Sequence, residues 1–200
     1  MRKKKNHHFE TKVIHAGQKS DPTTGAVMTP IVLASTFEQS SPGVHKGYDY
    51  SRSINPTREA FENCIADLEN GYKGYGFSSG VAAISACVEL LSPGDHIIAM
   101  DDLYGGSVRL FNEIKSLSQG IEISYVDMTD TNNIKNAIKA STKMIFVETP
   151  TNPLLKIADL SKIAKLAKKE KILTVCDNTF ASPFNQKPIN DGIDIVIHSA

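Results

Sequence analysis

The chain has 200 residues, 40% apolar and 22% charged, an ordinary globular composition rather than that of a disordered or membrane-embedded chain. Basic and acidic residues number 22 each, so the net charge is zero and favours neither nucleic acid nor an anionic membrane as partner. No apolar run reaches the length of about 18 residues that predicts a membrane-spanning helix.

In chain order, Arg2-Lys3-Lys4-Lys5 reads as a solvated end, with no apolar segment behind it to make a secretory signal. Residues 1–54 read as an extended arm interrupted by Pro22, Gly25, Pro30, Pro42, Gly43 and Gly47. Its short apolar pieces, such as Ile31-Val32-Leu33, suggest packing on another surface, for which a neighbouring subunit is the candidate. Asn55-Pro56 opens a helix, a capping side chain followed by a ring whose φ suits the first turn. Phe61, Ile65 and Leu68 form its expected buried stripe and Gly71 its stop. Residues 74–78 predict a short strand. Val81, Ile84, Val88 and Leu91 have helical spacing, closed by Ser92-Pro93-Gly94. Strands are expected at 96–100, 121–126, 143–147, 172–176 and 193–197. Helices marked by Val108, Phe111 and Ile114, by Ile134, Ala137 and Ile138, and by Leu160, Ile163, Ala164 and Ala167 lie between them.

The strands are continuously apolar, as expected when both faces are covered, so the fold class is α/β with a mainly parallel sheet over residues 55–200. Such sheets bind ligands beyond the carboxyl ends of their strands, which directs attention to the loops there. Ser78-Ser79-Gly80-Val81 leads into a helix, where small residues and free N–H groups suit a phosphate. Tyr104, in Asp101-Asp102-Leu103-Tyr104-Gly105-Gly106, can stack on a flat ring. The prolines of Glu148-Thr149-Pro150-Thr151-Asn152-Pro153 stiffen a loop that presents Asn152. Asp177 ends an apolar strand, where a carboxylate needs a partner such as a protonated ring nitrogen. Tyr50-Ser51-Arg52 offers a hydroxyl and a guanidinium fork, a phosphate-binding pair. Cys64, Cys87 and Cys176 are widely spaced with no C-x-x-C. They read as buried thiols of a cytosolic protein, with no metal site. A phosphate turn, a stacking aromatic, an asparagine and a strand-end carboxylate together match the needs of pyridoxal phosphate.

These residues carry a resemblance to the Cys/Met-metabolism (trans-sulfuration) family of pyridoxal-phosphate enzymes, which have the aspartate-aminotransferase fold, fold type I. The likeness runs from Thr11 to Ala200 and is carried by Tyr50-Ser51-Arg52, Asn55-Pro56-Thr57-Arg58, Asp102-Leu103-Tyr104-Gly105-Gly106, the Glu148–Pro153 loop and Asp177-Asn178-Thr179-Phe180. The resemblance implies small amino-acid substrates and a homodimer or homotetramer in which Tyr50 and Arg52 reach the cofactor phosphate of a neighbour. It also implies that Ser79, Gly80, Val81 and Ser199 hold the phosphate and that Tyr104 stacks on the ring and takes part in proton transfer. Asp177 then pairs with the ring nitrogen, and Asn152 lies near the ring hydroxyl. The family has Thr-Lys after the equivalent of Ser199-Ala200, and that lysine forms the Schiff base. The sequence ends at Ala200, so the expectation is an incomplete enzyme, inactive as it stands. Gly106 stands where methionine γ-lyases carry cysteine, and the resemblance leans toward cystathionine γ-synthase. Cystathionine γ-lyase, cystathionine β-lyase, methionine γ-lyase and a non-catalytic partner-binding chain are the alternatives.

Overall fold

The computed structural model describes residues 7–200, and the basic stretch Arg2-Lys3-Lys4-Lys5 lies outside the described residues. The contacts divide the chain after Gly76, rather than at residue 55, into one unit ending there and a second from Phe77 to Ala200.

The first unit holds helix α1 (Phe9–His15), a short antiparallel pair β1 (Gln39–Ser41) and β2 (Val44–His45), and helix α2 (Pro56–Glu69). The start of α2 follows its sequence: Asn55 Oδ1 accepts from the N–H groups of Thr57 (2.9 Å) and Arg58 (3.4 Å), and Pro56 occupies the first turn. Its stop falls one residue earlier than expected, because Asn70 takes the left-handed cap (φ 58°), which a short amide side chain tolerates. The expected buried stripe is not buried. Phe61 is 51% exposed, and Ile65 and Leu68 are half-buried. The helix that α2 meets in this unit is α1, which has no buried residue and is too small to cover a stripe. The arm is stitched to α2 by polar bonds instead. Thr57 Oγ1 donates to the Pro30 carbonyl (3.0 Å) and accepts from Val32 N–H (2.9 Å), while Ile31 and Leu33 remain exposed. The strand expected at 74–78 does not form. Gly76 N–H goes to the Glu62 carboxylate (2.8 Å) rather than to a neighbouring strand.

The second unit is a parallel sheet of β3 (His96–Met100), β4 (Glu122–Val126), β5 (Thr142–Glu148), β6 (Leu173–Asp177) and β7 (Ile195–Ile197), in the spatial order β4-β3-β5-β6-β7. Helix α3 (Gly80–Val88) precedes β3. Between β3 and β4 runs α4 (Gly105–Arg109), which continues through a π-helical segment (Leu110–Lys115) into α5 (Ser116–Gln119). Helices α6 (Thr131–Ala137) and α7 (Leu160–Glu170) lie before β5 and β6, and the short α8 (Ser182–Asn185) and α9 (Pro188–Asp191) before β7. On α7 the expected stripe of Leu160, Ile163, Ala164 and Ala167 is buried, and Asp159 caps the helix by accepting from Lys162 N–H (3.0 Å). The wider π turn changes the expected face of the preceding helix. Phe111 is buried edge-on against Phe146, but Ile114 is exposed and Lys115 is buried with its ammonium on Glu89. Among the cysteines only Cys176 is fully buried. Cys64 and Cys87 are half-buried, and burial pushes both thiols up, Cys87 to about 11. No described helix is long and apolar enough to cross a membrane, and no described group of His, Cys, Asp and Glu is arranged to hold a metal ion.

Candidate cofactor site

The strand order reverses at β3: β4 lies on one side of it, and β5, β6 and β7 follow on the other. The loops after β3 and β5 therefore diverge, which opens a crevice at the carboxyl edge. A cleft of about 330 Å³ lies at these loops, lined by residues from α3 and from the ends of β3, β5, β6 and β7. Ser79, Gly80, Val81, Tyr104, Asn152, Asp177 and Ser199, all singled out from sequence, line it together. Tyr50 and Arg52 belong to the first unit, where the Arg52 guanidinium sits 5.0 Å from the centre of the exposed Tyr50 ring.

One wall is the start of α3. Ser79 is its N-cap, with Oγ accepting from Ala82 N–H at 3.1 Å, so its hydroxyl proton remains available to a ligand. The N–H groups of Gly80 and Val81 precede the first intrahelical acceptors and carry the positive end of the helix dipole. Ser199 closes in from the end of β7. A Cβ on Gly80 would stand 2.9 Å from Ser199 Cβ and 3.2 Å from its Oγ, so only glycine lets this serine sit against the helix start. Ser199 is held in turn by its N–H, which donates to Thr179 Oγ1 (3.0 Å).

A second part of the lining is Tyr104, the residue before α4, which is 47% exposed. Gly106 lies beneath the ring, and a Cβ there would overlap Tyr104 Cε1, so glycine allows the ring to fold back over its own helix start. At the floor, Glu148 and Asp177 stand opposite each other in the β5–β6 register, both buried. Asp177 Oδ1 accepts from Thr179 N–H (3.0 Å) and Thr179 Oγ1 (2.6 Å), and Oδ2 takes no hydrogen bond among the described residues. Glu148 accepts two backbone N–H groups, Tyr104 on Oε2 (3.0 Å) and Asn152 on Oε1 (2.8 Å). Burial pushes its carboxyl up to about 7. The two N–H bonds oppose that rise, and the negative charges of Asp177 and Asp102 reinforce it.

Glu148, Thr179, Phe180 and Ile84 also line the cleft and were given no role from sequence. Glu148 could have been found. It ends an apolar strand just as Asp177 does, and the same cost of burying a carboxylate applies to both. The Glu148–Pro153 loop contains cis bonds before both Pro150 and Pro153.

A family model described as Cys/Met metabolism PLP-dependent enzyme matches residues 10–200. Over 98% of the chain and 51% of its relative, the sequence is 59% identical to a protein of Coxiella burnetii named cystathionine beta-lyase. It is 46% identical to a probable cystathionine gamma-synthase of Herpetosiphon aurantiacus, over 96% of the chain and 60% of that protein. Among solved structures, a cystathionine gamma-lyase from Lactobacillus plantarum complexed with L-serine matches with a TM-score of 0.93 and 49% identity, over 96% of this chain and 50% of that one. The chain spans about half the length of the curated relatives it matches. These likenesses carry the fold type I architecture expected from sequence, and the family's cofactor is pyridoxal 5'-phosphate.

Proposed function

We propose, from the premise that the chain belongs to the Cys/Met metabolism PLP-dependent enzyme family, that its cleft holds the cofactor and serves carbon–sulfur bond chemistry on cystathionine. The residues fit the cofactor. The observation that carries this reading is the cradle between Gly80 and Ser199, which a Cβ would fill. There the N–H groups of Gly80 and Val81 and the hydroxyls of Ser79 and Ser199 would supply donors to one bound phosphate. Asp177, buried and with an oxygen to spare, accepts from the ring nitrogen and keeps a proton there. Tyr104, half-exposed in the cleft, would stack on the ring of bound pyridoxal phosphate, and its hydroxyl would move a proton to or from the substrate. Asn152 orients the ring hydroxyl. Bound pyridoxal phosphate supplies an electron sink for negative charge at the substrate's α carbon.

Tyr50 and Arg52 belong to the arm, and we assign them to the phosphate of a neighbouring subunit in a cytoplasmic homodimer or homotetramer. The exposed apolar side chains of the arm, Val27, Met28, Ile31 and Leu33, support an oligomer contact there.

For the substrate, 59% identity to a cystathionine beta-lyase favours hydrolytic cleavage of cystathionine to homocysteine, pyruvate and ammonia. Synthesis of cystathionine from cysteine and an O-acyl-homoserine is the second reading, supported by the likeness to a probable gamma-synthase. The deciding experiment uses the protein as its gene encodes it, loaded with pyridoxal phosphate. Pyruvate from cystathionine supports the first reading, 2-oxobutyrate points to the γ-lyase, and net cystathionine formation points to the synthase. Absence of a bound-cofactor absorbance band would remove the cofactor assignment.

A further inference from the structure

We infer that Glu148 is a positioning residue that holds both sides of the cofactor cleft at once, one carboxylate oxygen on each. Oε2 takes the backbone N–H of Tyr104 at 3.0 Å and Oε1 that of Asn152 at 2.8 Å. The two residues follow different strands, β3 and β5, whose loops part at the switch point, and beside Glu148 the same loops are tied by Asp102, whose Oδ2 accepts from Thr151 Oγ1 and from Leu154 N–H (2.9 Å), and by Lys156 on Asp101 (2.7 Å). Tyr104 has no side-chain cap of its own at the start of α4, and Gly106 leaves space under its ring. The backbone bond to Glu148 therefore fixes the Tyr104 end of that loop at the cleft, while the Asp102 bonds hold the turn before it. An ionised carboxylate accepts both N–H groups strongly. Protonation leaves one oxygen a weak acceptor, and an amide turns an NH2 donor toward one of the two N–H groups.

The charged groups that face Glu148 are both acidic: Asp177 at the paired end of β6 and Asp102 in the loop after β3. The ionisable side chain of β3, His96, pairs with Thr142 at the far end of β5. Burial, with these two negative charges beside it and no cation facing it among the described residues, pushes the carboxyl up to about 7, so the grip on the two loops tightens as pH rises through that value.

The cofactor arm of the test rests on the assignment of pyridoxal phosphate to this cleft, and the other arm does not. In the cofactor-free protein, selectively labelled with ¹⁵N-tyrosine and ¹⁵N-asparagine, the amide signals of Tyr104 and Asn152 are followed with pH. Both are expected to move together with one midpoint near neutrality, and neither to titrate in Glu148→Gln. Independent or absent titration in the wild type overturns the inference. In the loaded protein, Glu148→Gln is expected to weaken the dissociation constant for pyridoxal phosphate roughly tenfold above neutral pH and to change the induced circular dichroism of the bound ring. Wild-type affinity and dichroism in that variant would also overturn the inference. Should Glu148→Gln not fold, Asp102→Asn decides. Loss of that neighbouring charge must move the shared amide midpoint to lower pH, and an unmoved midpoint sinks the proposal. A wild-type protein that binds no cofactor but shows the linked amide titration would fail the functional reading and leave this one standing.

Discussion

The two units of the chain handle their apolar residues in opposite ways. Every buried apolar side chain among the described residues lies in the second unit, from Ile84 to Ile197. Among its described residues the first unit buries one, Glu69, and exposes Val13, Ile14, Val27, Met28, Ile31, Leu33 and Val44. A sheet presents two broad faces that helices can cover, so the second unit completes a core by itself. An arm with two helices and a two-stranded ribbon cannot, and it relies on hydrogen bonds such as those of Thr57 and Asn55 to the Pro30 and Val32 backbone. Stability is therefore expected to reside in the second unit, and the first is free to contribute contacts to something else.

Phe146→Ala is the strongest way to break this contrast. The ring is fully buried at the sheet centre against Phe111, and its loss should lower unfolding stability by about 3–5 kcal/mol in chemical denaturation. A loss below about 1 kcal/mol would mean that the core of the second unit does not govern stability.

The second effect is pH-dependent. The folded-state value of Glu148, about 7, lies above the ordinary 4.5, so between these values the folded chain holds a proton that the unfolded chain has released. This group's contribution to stability is thus fully present below the unfolded value and is lost as pH rises toward 7, a change on the order of 3 kcal/mol. Glu148→Gln should flatten that part of the stability–pH curve, and an unchanged slope would show that another group is responsible.

Smaller again is Gly80→Ala. The added methyl meets Ser199 Cβ at 2.9 Å, forcing the end of β7 off the start of α3. Affinity for pyridoxal phosphate should fall by roughly tenfold, about 1.4 kcal/mol, while the unfolding midpoint moves little. Equal affinity would remove the Gly80–Ser199 cradle from the phosphate site.

The smallest effect on unfolding belongs to the arm. Leu33 is 90% exposed, and Leu33→Asp should change unfolding stability by less than about 0.5 kcal/mol at a subunit concentration too low for assembly. The same variant should shift sedimentation toward smaller species if the arm is an oligomer contact. Unchanged sedimentation would sever the arm from assembly and sharpen the contrast in the other direction.

Much of this was legible in the chain itself, unevenly. Asn55-Pro56 and the Leu160, Ile163, Ala164 and Ala167 stripe behaved as their local patterns required, because caps and amphipathic periods are short-range properties. Phe61 and residues 74–78 did not. A buried stripe or a strand needs a partner from elsewhere in the chain, and in the first unit Phe61 finds no cover while Gly76 bonds to Glu62. Ile114 and Lys115 exchanged places because a π turn shifts the helical register, which a 3.6-residue period cannot foresee.

What the sequence by itself determined was the alternation of apolar strands with helices and the identity of the loops at their carboxyl ends, since both follow from near neighbours in the chain. Only the tertiary structure decided the strand order that parts the loops after β3 and β5. It alone brought Gly80 against Ser199 and set Glu148 beside Asp177. Those are long-range pairings chosen by the packing of the whole sheet, and a local pattern carries no record of which distant residue will be met.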